Sequence, residues 1–166
     1  MSNKILVAYA TKSDSTREVA EAVGRVLRES GLEVDITPVT QVKNIDSYRA
    51  VIVGSAARVG RLLPETVKFA EKYKEQLGKK ETAYFTVCMT METDTPENRK
   101  TVTTYLAPLV NVKEPLSIGL FAGKYDSRSV GLPFRFILKK LKVPEGDFRN
   151  WDDITNWSRD LADKLN

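Results

Sequence analysis

Ile5-Leu6-Val7-Ala8-Tyr9-Ala10-Thr11-Lys12-Ser13-Asp14-Ser15-Thr16 is the stretch that decides the fold. An apolar run comes first. A hydroxyl-rich turn follows, and an amphipathic run then continues to Leu27. Strand, polar turn, helix is the geometry of a phosphate site. A helix start offers unpaired backbone N–H groups and a partial positive charge. Thr11, Ser13, Ser15 and Thr16 add side-chain donors. The competing reading is an ordinary helix start capped by Ser13 or Ser15.

Outward from this stretch the chain alternates strand and helix. Strands are expected at Lys4–Tyr9, Glu33–Val39, Ala50–Gly54, Thr82–Cys88 and Leu116–Ala122. The third is nearly all apolar, as a strand covered on both faces requires. Helices are expected from Ser15 to Ser30, from Pro64 to Leu77, from Thr95-Pro96-Glu97 through Leu109, and from about Asp152 onward. Gly31 stops the first, and Pro64 and Pro96 suit first helical positions. Such alternation predicts an α/β fold with a parallel sheet and right-handed crossovers. One domain over residues 1–166 is expected, with an inserted segment at about 123–151. That segment is long for a connection in such a sheet.

Composition removes several chemistries. The 166 residues contain no histidine and one cysteine, Cys88. A histidine base, an internal disulfide, a four-cysteine zinc site and an intrachain iron–sulfur cluster are excluded. Redox chemistry would have to come from a bound organic cofactor. No catalytic side chain and no metal ligand is assigned. The formal charge of +4 is compatible with an anionic partner but does not demand one. Nucleic acid is not among the expected partners. No apolar run approaches the roughly 20 residues that span a bilayer. Met1-Ser2-Asn3-Lys4 lacks the signal-peptide pattern, so a cytoplasmic protein is the default.

The opening loop has neither the Gly-x-x-x-x-Gly-Lys-Ser/Thr nor the Gly-x-Gly-x-x-Gly pattern. It resembles the phosphate loop of flavodoxins, with Thr11, Ser13 and Thr16 on the three hydroxyl positions. Asp14 departs from the family's glycine. Aspartate tolerates a left-handed backbone, but its carboxylate would have to point away from a phosphate. A second loop, Ser55-Ala56-Ala57-Arg58-Val59-Gly60, follows the third strand, at the sheet edge where ligands of open α/β folds bind. Small residues there let backbone approach a flat ring. Arg58 or Val59 replaces the stacking aromatic of many flavodoxins. The Arg58 charge is expected to favour an anionic reduced flavin; a solvated surface arginine is the alternative. The third loop, Val87-Cys88-Met89-Thr90, should close the other side of the ring. Cys88 there reads as a buried structural thiol or as a group beside the ring.

Over its whole length the chain resembles flavodoxin-fold proteins, in particular the menaquinone-dependent protoporphyrinogen IX dehydrogenase group. The carriers are Tyr9–Thr16, Val53–Gly60, and the late basic apolar insertion followed by Trp151 and a final helix. The resemblance implies a flavodoxin-like three-layer sandwich: a five-stranded parallel sheet in the order 2-1-3-4-5 with helices on both faces. It implies FMN, with Thr11, Lys12, Ser13, Asp14, Ser15 and Thr16 around the phosphate and the other two loops around the ring. The partner would be a redox protein or a quinone. An electron carrier and a quinone-linked oxidoreductase of the protoporphyrinogen oxidase type both remain open. So does a regulatory or scaffold domain of the same fold that has lost flavin.

Within the insertion, Phe134, Ile137, Leu138 and Leu141 make one helical face. Arg135, Lys139, Lys140 and Lys142 lie largely on the other, with Phe136 between them. A basic amphipathic helix reads as a surface for anionic membrane, at its inner face, or for a partner. It also reads as a helix packed on the domain with its basic face in water.

Overall fold

The computed structural model describes residues 3–166. Met1 and Ser2, the first residues read for a leader, lie outside the described residues.

The strand β1 (Lys4–Ala10) is buried on both faces because its side chains alternate between two cores. Ile5, Val7 and Tyr9 join one cluster; Leu6, Ala8 and Ala10 join the other. Parallel partners flank it: β2 (Glu33–Pro38) on one side and β3 (Ala50–Arg58) on the other. β5 (Glu81–Cys88) and β6 (Ile118–Ala122) extend the sheet, giving the order β2-β1-β3-β5-β6. In parallel strands counted along the chain this is the expected 2-1-3-4-5.

The first core lies under α1 (Ser15–Glu29) and α7 (Trp151–Leu165). Val19, Val23 and Leu27 meet Ile154, Leu161 and Leu165 there, with Phe85 and Phe121 rising from the sheet. Each such side chain contributes roughly 1.5–3 kcal/mol on burial. The second core lies under α2 (Pro64–Lys72), α3 (Lys74–Leu77), α4 (Pro96–Tyr105) and α5 (Ala107–Val110). Phe69, Tyr73, Leu77, Leu106 and Leu109 fill it. Three layers result.

Helix ends follow their local chemistry. α1 closes with Leu32 N donating to Leu27 O at 3.1 Å and Gly31 N to Arg28 O at 3.0 Å. Gly31, at φ 91°, supplies the left-handed residue that this closure requires. Thr95 caps α4 by accepting from Asn98 N at 3.1 Å. Asn150 caps α7 by accepting from Asp153 N at 3.1 Å.

Three expectations are corrected. The helix expected over Pro64–Leu77 breaks at Tyr73, and the next one breaks at Leu106, where Pro108 cannot donate to the helical ladder. The sheet holds more than five strands. β3 runs on to Arg58 and turns into an antiparallel strand, β4 (Arg61–Leu62), with Arg58 opposite Arg61. The two turn residues, Val59 and Gly60, both have positive φ, 50° and 77°. Positive φ at both centres is the requirement of a tight hairpin turn, usually met by Asn-Gly or Asp-Gly. The insertion holds the helix read in its sequence and adds a strand pair. It carries β7 (Lys124–Tyr125), α6 (Leu132–Lys140) and β8 (Gly146–Asp147), and β7 pairs antiparallel with β8. It ends at Asn150, because α7 starts at Trp151.

Candidate functional site

The carboxyl ends of β1, β3 and β5 bring the three predicted loops to one edge of the sheet. A cavity of about 370 Å³ opens there. Ser13 and Ser15 border it from the first loop, Ala56 to Gly60 from the second, and Val87 to Thr90 from the third. The insertion forms the remaining wall with Tyr125, Phe134, Leu138 and Leu141.

The first loop leaves hydrogen-bonding groups unpaired. Asp14 stands before α1 in the left-handed region, at φ 63°. Its exposed carboxylate lies 3.7 Å from Arg17 Nη2. No side chain caps the helix, so neither Ser13 nor Ser15 does what a capped start requires. The hydroxyls of Thr11 and Thr16 are buried and have no hydrogen-bond partner among the described residues. With the uncapped N-terminus of α1 they are donors of the kind an anion accepts from. Thr11 borders an adjoining depression with Asp14 and Arg17, not the main cavity. The Lys12 ammonium reaches Glu65 at 3.9 Å.

The second loop is held by a buried polar network. Thr66 Oγ1 donates to Ser55 Oγ at 2.8 Å, Leu63 N donates to the same oxygen at 3.3 Å, and Ser55 Oγ donates to Ala56 O at 2.8 Å. Thr86 Oγ1 donates to Ser55 O at 2.9 Å. Ser55 is therefore fully buried and fixes the loop; it does not border the cavity. Gly54, just before it, cannot carry a side chain, because a Cβ would sit 1.9 Å from the Phe85 ring. Arg58 does border the cavity, with its guanidinium carbon 4.5 Å above the centre of the Phe134 ring. The stacking partner it finds is thus in the insertion.

In the third loop the Asn98 amide donates to Thr90 O at 3.2 Å and to Thr93 O at 2.7 Å. Burial pushes the Cys88 thiol up to about 11, so it stays protonated at neutral pH. Cys88 is buried and borders the cavity.

The insertion is tied to the first loop by Arg149, whose side chain is 4% exposed. Its Nη1 lies 3.0 Å from Glu18 Oε2 in the first turn of α1, and its Nη2 lies 2.7 Å from Asp147 Oδ2. Nη1 also reaches Ser15 O at 3.4 Å, and the guanidinium sits 4.8 Å over Trp151. Hydrogen bonding to Arg149 holds the Asp147 carboxyl below the usual carboxylate range. Sequence reading missed Arg149, Asn98, Tyr105, Lys124 and Tyr125. The only signal for Tyr105 is its helical spacing with Val102, Leu106 and Leu109, and Arg149 carries no motif.

A flavodoxin domain family profile matches residues 6–152. The chain belongs to that family. It is 25% identical over 173 aligned positions to protoporphyrinogen IX dehydrogenase [quinone] of Escherichia coli K12, covering 96% of this chain and 94% of that protein. Its fold is similar to a short-chain flavodoxin associated with a bacterial microcompartment, with a TM-score of 0.65, 13% identity and both chains fully covered. A flavodoxin from Streptococcus pneumonia TIGR4 gives 0.62 at 18% identity, covering 98% of this chain and 97% of that one. The chain is a flavodoxin-like redox protein, and the fold implies a flavin as its resident group. Among the described residues no helix is long and apolar enough to cross a membrane.

Proposed function

We propose that the chain binds FMN and passes its electrons to a quinone, as an oxidoreductase of the protoporphyrinogen oxidase type. The observation that carries the cofactor reading is the uncapped start of α1 with the orphaned hydroxyls of Thr11 and Thr16. Those hydroxyls, with Ser13, Ser15 and the first-turn N–H groups, would hold the phosphate. The loops Ala56–Gly60 and Val87–Thr90 would hold the ring, and Ser55 would keep the first of them in shape. The flavin supplies the electron transfer. The chain orients it, and the apolar insertion wall keeps water from it. No histidine is required.

The quinone reading is supported by that apolar wall and by the full-length similarity to a quinone-dependent dehydrogenase. α6 supports a membrane-side approach. Leu132, Phe136, Ile137 and Leu141 are exposed, and Lys139, Lys140 and Lys142 stand among them. Arg135 is half-buried and contributes less. Each basic residue near an anionic bilayer is worth roughly 1 kcal/mol, enough to bias a protein toward it without anchoring it.

The purified chain should be yellow or take up FMN stoichiometrically. After reduction it should be reoxidised faster by a menaquinone analogue than by oxygen. A colourless protein that ignores added FMN would favour the flavin-free scaffold. Sedimentation with phosphatidylglycerol vesicles should fall when Phe136, Lys139 and Lys140 are replaced together by Ser, Gln and Gln; undiminished sedimentation ends the membrane reading.

A further inference from the structure

Among the described residues Arg58 is a cation of the cavity wall with no acidic group acting on it. Among the described residues no Asp or Glu borders the cavity. Arg58 is half-buried, and loss of solvent alone pulls its pKa below the ordinary value, with no acidic neighbour acting on it. The other cation in the wall, Lys124, lies opposite Asp147 in the β7–β8 pair and feels Asp126 as well, so its charge is offset. A partly desolvated guanidinium needs compensation, and the face of Phe134 supplies some of it. Phe134 also keeps the charge at the cavity when it could otherwise swing into water.

A net positive charge in a partly dry cavity selects among forms of one ligand that differ in charge. The oxidised flavin ring is neutral. Uptake of two electrons and one proton converts FMN to FMNH⁻, with the negative charge on the N1 and C2-carbonyl side of the ring. We propose that Arg58, held by Phe134 of the insertion, makes the cavity bind this reduced anion more tightly than the oxidised ring, and so adapts the chain to two-electron transfer. The inference rests on the FMN reading above. It goes beyond it by assigning the specificity for oxidation state to one residue, and the holding of that residue to the insertion. Removing one unit charge at this range, in a medium of intermediate dielectric, should change the preference on the order of tenfold.

The test compares wild type with Arg58→Gln, Arg58→Lys, Phe134→Leu and the remote charge control Lys100→Gln. FMN dissociation constants come from fluorescence quenching. Two-electron midpoint potentials come from dithionite titration against reference dyes. Together they give the affinity for the reduced anion through a thermodynamic cycle. Arg58→Gln should lose about tenfold in preference for the reduced form, a fall of about 30 mV for a two-electron couple. Phe134→Leu should move the same way by less. Arg58→Lys should retain most of the preference, and Lys100→Gln should leave it unchanged. A purely structural role would weaken both oxidation states equally and leave the potential where it was. That outcome in Arg58→Gln, or in Phe134→Leu should the arginine variant fail to fold, overturns the proposal and leaves FMN binding intact. A wild-type chain that takes up no FMN instead removes the FMN reading, and this inference with it.

Discussion

The first loop and the insertion face each other across one cavity and are finished to different degrees. The first loop has its backbone committed, with Asp14 left-handed and α1 started behind it, yet its polar atoms are unsatisfied. Among the described residues the insertion leaves one buried side-chain polar atom unpaired, Arg135 Nε, but exposes its apolar side chains: Phe136 is 70% exposed, Leu132 62% and Leu141 62%. Unpaired hydroxyls call for an anion, while unpaired apolar surface calls for something greasy. The cavity therefore reads as a fixed seat for a cofactor and an adaptable wall for whatever exchanges electrons with it.

The largest expected effect breaks the first half of that comparison. Thr16→Val removes a hydroxyl that no described residue pairs with. Without ligand the variant should be at least as stable as wild type, by up to about 1 kcal/mol, because a buried unsatisfied polar atom is gone. FMN affinity should fall by roughly tenfold to a hundredfold, since hydrogen bonds to charged groups are worth about 1.5–3 kcal/mol. Thermal unfolding without FMN and a fluorescence titration with it read the two effects separately. A Thr16→Val chain that binds FMN as well as wild type would show that the orphaned hydroxyl is a packing accident.

The second effect tests how the insertion is joined to the seat. Arg149→Met leaves Glu18 and Asp147 without their shared partner. Both carboxylates are partly in water, so the loss should be about 1–2 kcal/mol, less than for a fully buried pair. Trypsin should then cut faster within 123–150, after Lys139, Lys140 or Lys142. The same clasp has an acid limit. The Asp147 carboxyl titrates below its unfolded value, so its contribution is complete above the ordinary carboxylate range and is lost as pH falls beneath it. Trypsin being inactive at such pH, pepsin susceptibility of the insertion in wild type should rise below about pH 4, and that rise should be absent in Arg149→Met.

These two regions also differ in how well the sequence announced them. The sheet was legible because strands such as Ile5–Tyr9 are apolar throughout and α1 repeats Val19, Val23 and Leu27 at helical spacing. The position of the first loop followed directly. The fate of its hydroxyls did not: that Ser13 borders the cavity while Thr16 is buried depends on where the left-handed turn at Asp14 sends each side chain. The β3–β4 hairpin was hidden because Val59-Gly60 is not a recognised turn pair. In α6 the spacing grouped Phe134, Ile137, Leu138 and Leu141, but Phe134, Leu138 and Leu141 border the cavity while Ile137 points elsewhere, 44% exposed. Periodicity defines a face; it does not say that the face covers a cavity.

Val59 gives a smaller effect, from strain. A β-branched residue at φ 50° is held where few such residues sit. Val59→Asn keeps the turn and relieves the strain, so the folded chain should gain about 1 kcal/mol, read as a rise in the denaturation midpoint. Ser55 keeps Ala56 and Leu63 in place, so a change in flavin binding would report the Val59 side chain itself. An unchanged midpoint would mean that the hairpin is already relaxed around valine.

Asp14→Gly should have the smallest effect and is the most direct comparison with the family pattern. Aspartate is one of the few residues that adopt the left-handed region readily, so replacing it by glycine should relieve well under 1 kcal/mol, and glycine's extra freedom in the unfolded chain offsets part of that. The carboxylate is exposed and paired with Arg17, which leaves a solvent-screened repulsion toward a phosphate. FMN affinity should rise about two- to threefold, with the gain shrinking as salt is raised. A gain of a hundredfold would mean that the carboxylate swings into the phosphate seat in solution. The loop would then be kept weak by its own aspartate, and the distinction between a finished seat and an adaptable wall would fail on the side that looks most rigid.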